Sequence, residues 1–197
     1  MNQKALAGIV IVFLALLAIV FYFGAQNPPA PVSIKEVTTT TFTPSGAKDT
    51  TYMIQGQSVK LSGGIARLKV SPGSASVMTI KVFSEPTLGD VNGDGQNDAA
   101  LILMQEGSGS GTFYYLAVAY SSTTGIIGTN ALLLGDRISP QTLEIRNNEI
   151  IANYATRKSD EPMTASPAQG VSLHARLKDG VLMDVTKEVT STKTVVE

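Results

Sequence analysis

Asp90-Val91-Asn92-Gly93-Asp94-Gly95-Gln96-Asn97-Asp98-Ala99-Ala100-Leu101-Ile102-Leu103 reads as two halves of opposite character. In the first half, side-chain oxygens recur at loop positions 1, 3, 5 and 9, as Asp90, Asn92, Asp94 and Asp98. Gln96 at position 7 offers its backbone carbonyl, and Gly95 at position 6 permits the sharp turn such a loop needs. Calcium takes about six to eight hard oxygens at roughly 2.3–2.6 Å, and this spacing wraps them around one point. The second half argues against a helical exit. Position 12, a bidentate Glu in an EF-hand, is here Leu101, inside an apolar run with the look of a buried strand. The loop therefore opens into a sheet, with Asp98 as its closing carboxylate. A plain Asx/Gly turn accounts for Asn-Gly-Asp-Gly, but it does not need four oxygens in alternate positions.

Outward from this loop the chain reads as short strands and tight turns. Thr51–Ile54 and Ser58–Leu61 flank Gln55-Gly56-Gln57, Ile65–Val70 follows Gly63-Gly64, and Val77–Phe83 and Phe113–Tyr120 alternate. Leu143–Arg146 and Glu149–Tyr154 are joined by Asn147-Asn148, residues that tolerate the positive φ of a two-residue hairpin. Leu173–Leu177 and Val181–Val185 are joined through Asp179-Gly180, a strong hairpin signal. No long segment of this region shows helical periodicity. The expected fold is all-β and antiparallel over residues 51–185, as a sandwich, an open barrel or a curled meander.

Upstream, residues 5–23 (ALAGIVIVFLALLAIVFYF) form an uncharged run of about nineteen apolar residues. As a helix it measures roughly 28 Å, close to the hydrocarbon thickness of a bilayer. It shows no polar face, and Tyr22 between Phe21 and Phe23 suits the aromatic belt. It is longer than the apolar core of a cleavable signal, and Phe23 occupies a position where cleavage wants a small residue. The expectation is one N-terminal transmembrane signal anchor. Residues 1–4 with Lys4 lie on the cytoplasmic side and the remainder is extracytoplasmic, or secreted if the segment is cleaved. Residues 24–50, with Asn27-Pro28-Pro29-Ala30-Pro31 and Thr38–Thr41, read as a Pro/Thr-rich stalk. An edge strand within Val32–Phe42 is the alternative there. Residues 186–197 read as a flexible tail.

Net charge is −1 without a basic stripe, which gives nucleic acid no electrostatic reason to bind. The chain has no cysteine, so disulfides, thiolate metal sites and a cysteine nucleophile are excluded. No Lys or Arg lies between Lys81 and Arg137, while Glu85, Asp90, Asp94, Asp98, Glu106 and Asp136 do. Such crowding of like charge favours a bound cation.

On these residues the Asp90–Asp98 loop resembles the calcium loops of FG-GAP repeats and the first half of dockerin loops. In those families the matching Asp and Asn side chains bind calcium, which implies the same for Asp90, Asn92, Asp94 and Asp98. Only one such loop is present, so neither a repeated propeller nor the dockerin duplication is supported. GDVNGDGQNDAALIL (89–103), GSGTFYYLAVAY (109–120), LGDRI (134–138) and DEPM (160–163) together resemble an uncharacterised bacterial envelope domain of anchored or secreted proteins. That resemblance spans most of residues 51–184 and implies a single exported domain without an assigned activity.

Other features carry less chemistry. Gly107-Ser108-Gly109-Ser110-Gly111 lacks the Lys-Ser/Thr of a phosphate loop and precedes a strand. Tyr114 and Tyr120 share one strand face and Tyr115 the other, as core residues or as a sugar-binding face. His174 is the one histidine, and no Gly-x-Ser-x-Gly elbow accompanies it. Arg137 either pairs locally with Asp136 or reaches back to the acidic loop. The irregular stretch 158–172, containing Asp160-Glu161-Pro162-Met163, is the candidate partner-contact loop. The expectation is a non-enzymatic domain with structural calcium. The alternatives are recognition of an envelope protein or glycan and, more remotely, hydrolysis of envelope polymers.

Overall fold

The apolar run after Asp98 becomes the centre of the molecule because both of its faces are covered. The computed structural model describes residues 44–107 and 109–187, all within one unit, Thr40–Glu197. Strand order is a short helix α1 (Pro44–Lys48), then β1 (Thr51–Ile54), β2 (Gln57–Lys60), β3 (Ile65–Lys69), β4 (Val77–Val82), β5 (Thr87–Gly89) and β6 (Asp98–Glu106). Next come β7 (Phe113–Ser122), β8 (Gly125–Gly128), β9 (Leu132–Asp136), β10 (Ser139–Arg146), β11 (Glu149–Thr156), β12 (Gln169–Lys178) and β13 (Val181–Asp184). The mostly β, antiparallel expectation holds, and the sheets curl into a half-barrel.

A seven-stranded sheet runs β3-β4-β6-β7-β8, with β5 also pairing β6 and β9 also pairing β7. A four-stranded meander, β10-β11-β12-β13, forms the second sheet, and β1-β2 is a separate hairpin. Alternation along β6 and β7 sorts their side chains into two cores. Ala100, Ile102, Met104, Tyr114, Leu116 and Val118 pack with Ile150, Ala152, Leu173 and Leu182 of the second sheet. Ala99, Leu101, Leu103, Tyr115, Ala117 and Ala119 pack with Ala47, Tyr52, Val59 and Leu61 from α1 and the hairpin. The opposite faces expected for Tyr114 and Tyr115 are thus realised, both inside cores. Small residues let the hairpin approach: a Cβ on Gly128 would collide with the Thr51 carbonyl and lie 2.9 Å from the Tyr52 ring.

Besides the three-residue β5, which pairs with β6, two elements stand where the sequence pattern suggests none. Helix α1 lies inside the 24–50 segment read as stalk; Ala47 is fully buried, and its carbonyl accepts a 2.7 Å hydrogen bond from Tyr52 Oη. Strand β8 is bracketed by Gly125 and Gly128, residues that read locally as turn. Its pairing with β7 supplies the stabilisation its own propensity lacks. Strand β12 begins at Gln169, which shortens the irregular stretch expected over 158–172. The apolar segment 5–23, most of the stalk and residues 188–197 lie outside the described residues. Among the described residues no helix is long and apolar enough to cross a membrane.

Candidate metal centre

The acidic loop joins β5 to β6 and is held at both flanks. Thr87 Oγ1 donates to the Leu143 carbonyl at 3.2 Å, which ties β5 to β10. Asn148 Nδ2, at the β10–β11 turn, donates to the Asp90 carbonyl at 3.1 Å. Val91 is buried in the core between the sheets. The loop therefore sits where the two sheets meet.

Within it, alternate polar residues turn back onto the following backbone. Asp90 Oδ1 accepts from the N–H groups of Asn92 (3.2 Å) and Gly93 (2.6 Å), and its Oδ2 from Gly95 N–H (2.9 Å). Asn92 Oδ1 accepts from Asp94 N–H at 2.9 Å, and Asp94 Oδ1 from Gln96 N–H at 2.8 Å. Asn92 Nδ2 donates to Asp94 Oδ2 at 3.0 Å. Gly93 and Gly95 take φ of 83° and 78°, values a side chain resists, so the winding requires glycine at both places. Burial pushes the Asp90 carboxyl up, but the N–H groups of Gly95, Gly93, Asn92 and Asp94 outweigh it and hold the group below the usual range.

Asp98 behaves differently. It is fully buried, with Oδ2 accepting from Val91 N–H and Oδ1 from Ser121 N–H, both at 3.1 Å. Burial raises its pKa; those two N–H bonds oppose the rise, and the charges of Asp94 and Asp90 add to it. Among the described residues no Lys or Arg forms an ion pair with Asp90, Asp94 or Asp98.

The five expected ligand residues are thus in one loop, with Asn92 and Asp94 in direct contact and Asp98 set deeper at the strand end. Among the described residues no three acidic or histidine side chains converge as a ready-made metal cage. The loop oxygens are turned instead onto the loop's own N–H groups. The donor set still fits a hard divalent cation in kind: carboxylates and an amide oxygen, with an uncompensated buried carboxylate beside them. Asn148 and Ser121 complete the site's framework. Neither is legible as such in the sequence, because each arrives through tertiary contact.

No protein-family model, curated protein or solved structure matches this chain. The likeness of the loop to FG-GAP and dockerin loops therefore rests on its own residues.

The remaining candidates resolve locally. Arg137 does not reach the acidic loop: it donates to the Ser110 carbonyl at 2.7 Å and lies 3.6 Å from Asp136. Arg157 gathers the carbonyls of Asp136, Arg137 and Ala165, which shapes the loop after β11 and leaves Met163 exposed. A groove of about 290 Å³ lies between the β1–β2 turn and β3–β4, with Gln105 and Lys69 in its lining and no carboxylate among its lining residues.

His174 Nδ1 lies 2.6 Å from Glu149 Oε1, and Arg176 donates to Glu149 Oε2 at 2.7 Å. The His174 hydrogen bond, with help from Arg176 and against burial, holds Glu149 below the usual carboxylate range. The Glu149 side chain is only 13% exposed, so the pair is largely shielded from water. Glu149→Gln is expected to lower stability at neutral pH by about 1–2 kcal/mol. A group with a depressed folded pKa stabilises above its unfolded value and loses that contribution as pH falls through the folded value. The difference between parent and variant should therefore shrink below about pH 4, as followed by urea unfolding across pH.

Proposed function

We propose that the chain is a membrane-anchored extracytoplasmic β domain whose Asp90–Asp98 loop takes calcium as a structural ion. The observation that carries this reading is Asp98: a fully buried carboxylate without a cationic partner, pushed up by burial with Asp94 and Asp90 adding to the rise. A calcium ion supplies the missing positive charge. Asp90, Asn92, Asp94 and Asp98 would hold it by side-chain oxygens and Gln96 by its carbonyl, in exchange for some of the loop's own N–H bonds. The apolar segment 5–23 supports both the membrane anchor and the export of the β domain. The role is mechanical: an ion at the junction of the sheets fixes β5, the loop and β6 relative to one another.

Affinity on the order of 0.1–1 mM, as in extracellular modules, matches a mostly exposed loop. Calcium at about 10 mM would then add about 1.4–2.7 kcal/mol by binding the native state alone, which corresponds to roughly 3–10 °C in Tm. The expected result is such a rise for the full chain in detergent, absent in calcium-free buffer and abolished by Asp94→Ala. An unchanged Tm, together with elemental analysis that finds no metal on the protein, would end the calcium reading.

A further inference from the structure

We infer that Asn130 is a positioning residue that closes the open edge of β13 and keeps it from pairing with a second copy of this chain. Among the described residues strand β13 pairs only with β12, through Ala175↔Asp184, Arg176↔Met183, Leu177↔Leu182 and Lys178↔Val181. Antiparallel strands present the N–H and C=O of alternate residues to each side. Leu182 N–H donates to Asn130 Oδ1 at 2.8 Å, and Asn130 Nδ2 donates to the Leu182 carbonyl at 2.9 Å. The backbone N–H and C=O of Leu182 therefore point away from β12, while its side chain stays in the core, and the primary amide occupies both backbone groups that another strand would use. It stands in for one residue of a neighbouring strand.

The amide is held in place from behind. Met53 N–H donates to the Thr129 carbonyl at 3.0 Å, and Ala131 N–H to the Met53 carbonyl at 2.8 Å. Thr129, only 2% exposed, binds β7 through its backbone N–H and its hydroxyl. Hairpin, central sheet and second sheet thus meet at the segment Thr129–Ala131.

The edge has reason to be closed. Val181 is 51% exposed and Met183 47%, so the outer strand is apolar, with Asp184 its only charge. It carries no lysine, proline or bulge, so its own protection is limited to its four-residue length and Asp184.

The absence of cysteine makes Met183→Cys a clean reporter. The full chain carrying M183C, alone and with Asn130→Ala or Asn130→Asp, is oxidised in excess detergent at equal concentration, and amide hydrogen exchange is followed in parallel. Expected are a several-fold higher yield of disulfide-linked dimer in both double variants and roughly tenfold faster exchange at Leu182 with N130A. The Leu101 and Leu103 amides should stay protected, and Val181→Lys should return the dimer yield to that of M183C alone. N130D retains an acceptor for the Leu182 N–H and carries the test if N130A does not fold. If dimer yield and Leu182 exchange equal those of M183C while the Leu101 and Leu103 amides remain protected, the inference is overturned.

Discussion

Asp98→Ala should lower the stability of this chain by about 2–5 kcal/mol and, on the proposed reading of the loop, remove the response to calcium. Both carboxylate oxygens accept backbone N–H bonds, from Val91 and from Ser121, in a place with no access to water. Truncation leaves two buried donors unpaired, at about 1–3 kcal/mol each. Val91 is itself packed between the sheets, so its N–H cannot turn outward without unpacking the core. Asp98→Asn keeps one acceptor and places an NH2 against the other donor, which gives a loss near the low end of that range. A loss under about 1 kcal/mol for Asp98→Ala, measured by urea unfolding, contradicts the account of Asp98 as the strut between loop and β7.

The same carboxylate sets a pH dependence that calcium would oppose on the proposed reading of the loop. Its folded pKa is raised, so the folded chain holds the proton more tightly than the unfolded chain. Without metal, the stability tied to this group is greatest below the unfolded carboxylate value of about 3.9 and is lost as pH rises through the folded value. Calcium held as proposed would need the ionised form, so its stabilising effect would grow over that same rise and release a proton. Thermal melts from pH 4 to 8, with and without calcium, should therefore diverge as pH increases. Asp98→Asn should flatten this group's contribution in both series.

Much of the β framework is written in local signals, and the exceptions have a common cause. The turns Gln55-Gly56, Asn147-Asn148 and Asp179-Gly180 all take positive φ, as the residue types foretell at every position but Gln55, and the strands they join lie where alternation places them. Strand β5 is three residues long, and β8 is bounded by glycines; each exists because a longer neighbour, β6 or β7, offers it hydrogen bonds. Helix α1 has five residues and no periodicity to display, and it is held by the burial of Ala47. At the loop, spacing puts Asp98 ninth in a cation-binding series. What spacing cannot carry is that Ser121, distant in sequence, claims one of its oxygens. Likewise the choice of Arg137 between the acidic loop and Ser110 depends on where β9 ends in space, which no local pattern encodes.

The largest loss from a single truncation is expected at Leu101→Ala, about 3–5 kcal/mol. Leu101 is fully buried in the middle of β6, on the face covered by the hairpin and α1. Removing a buried leucine side chain forfeits its transfer free energy and leaves a cavity whose penalty depends on how far the neighbours can close in. Here they cannot close far. Leu101 pairs directly with Ala117, and Ala99 and Ala119 lie on the same face, so these positions have no side-chain length to move into the space, while Leu103 and Tyr115 beside them are themselves packed in the same core. The backbone cannot shift to compensate either, because β6 is bonded to β7 on one side and to β4 and β5 on the other. Leu133→Ala is the control: that side chain is 52% exposed on β9, and its removal should change stability by no more than about 0.5 kcal/mol. Equal losses at the two positions, in urea unfolding of the full chain at neutral pH, would mean that β6 is not the two-sided centre of the fold.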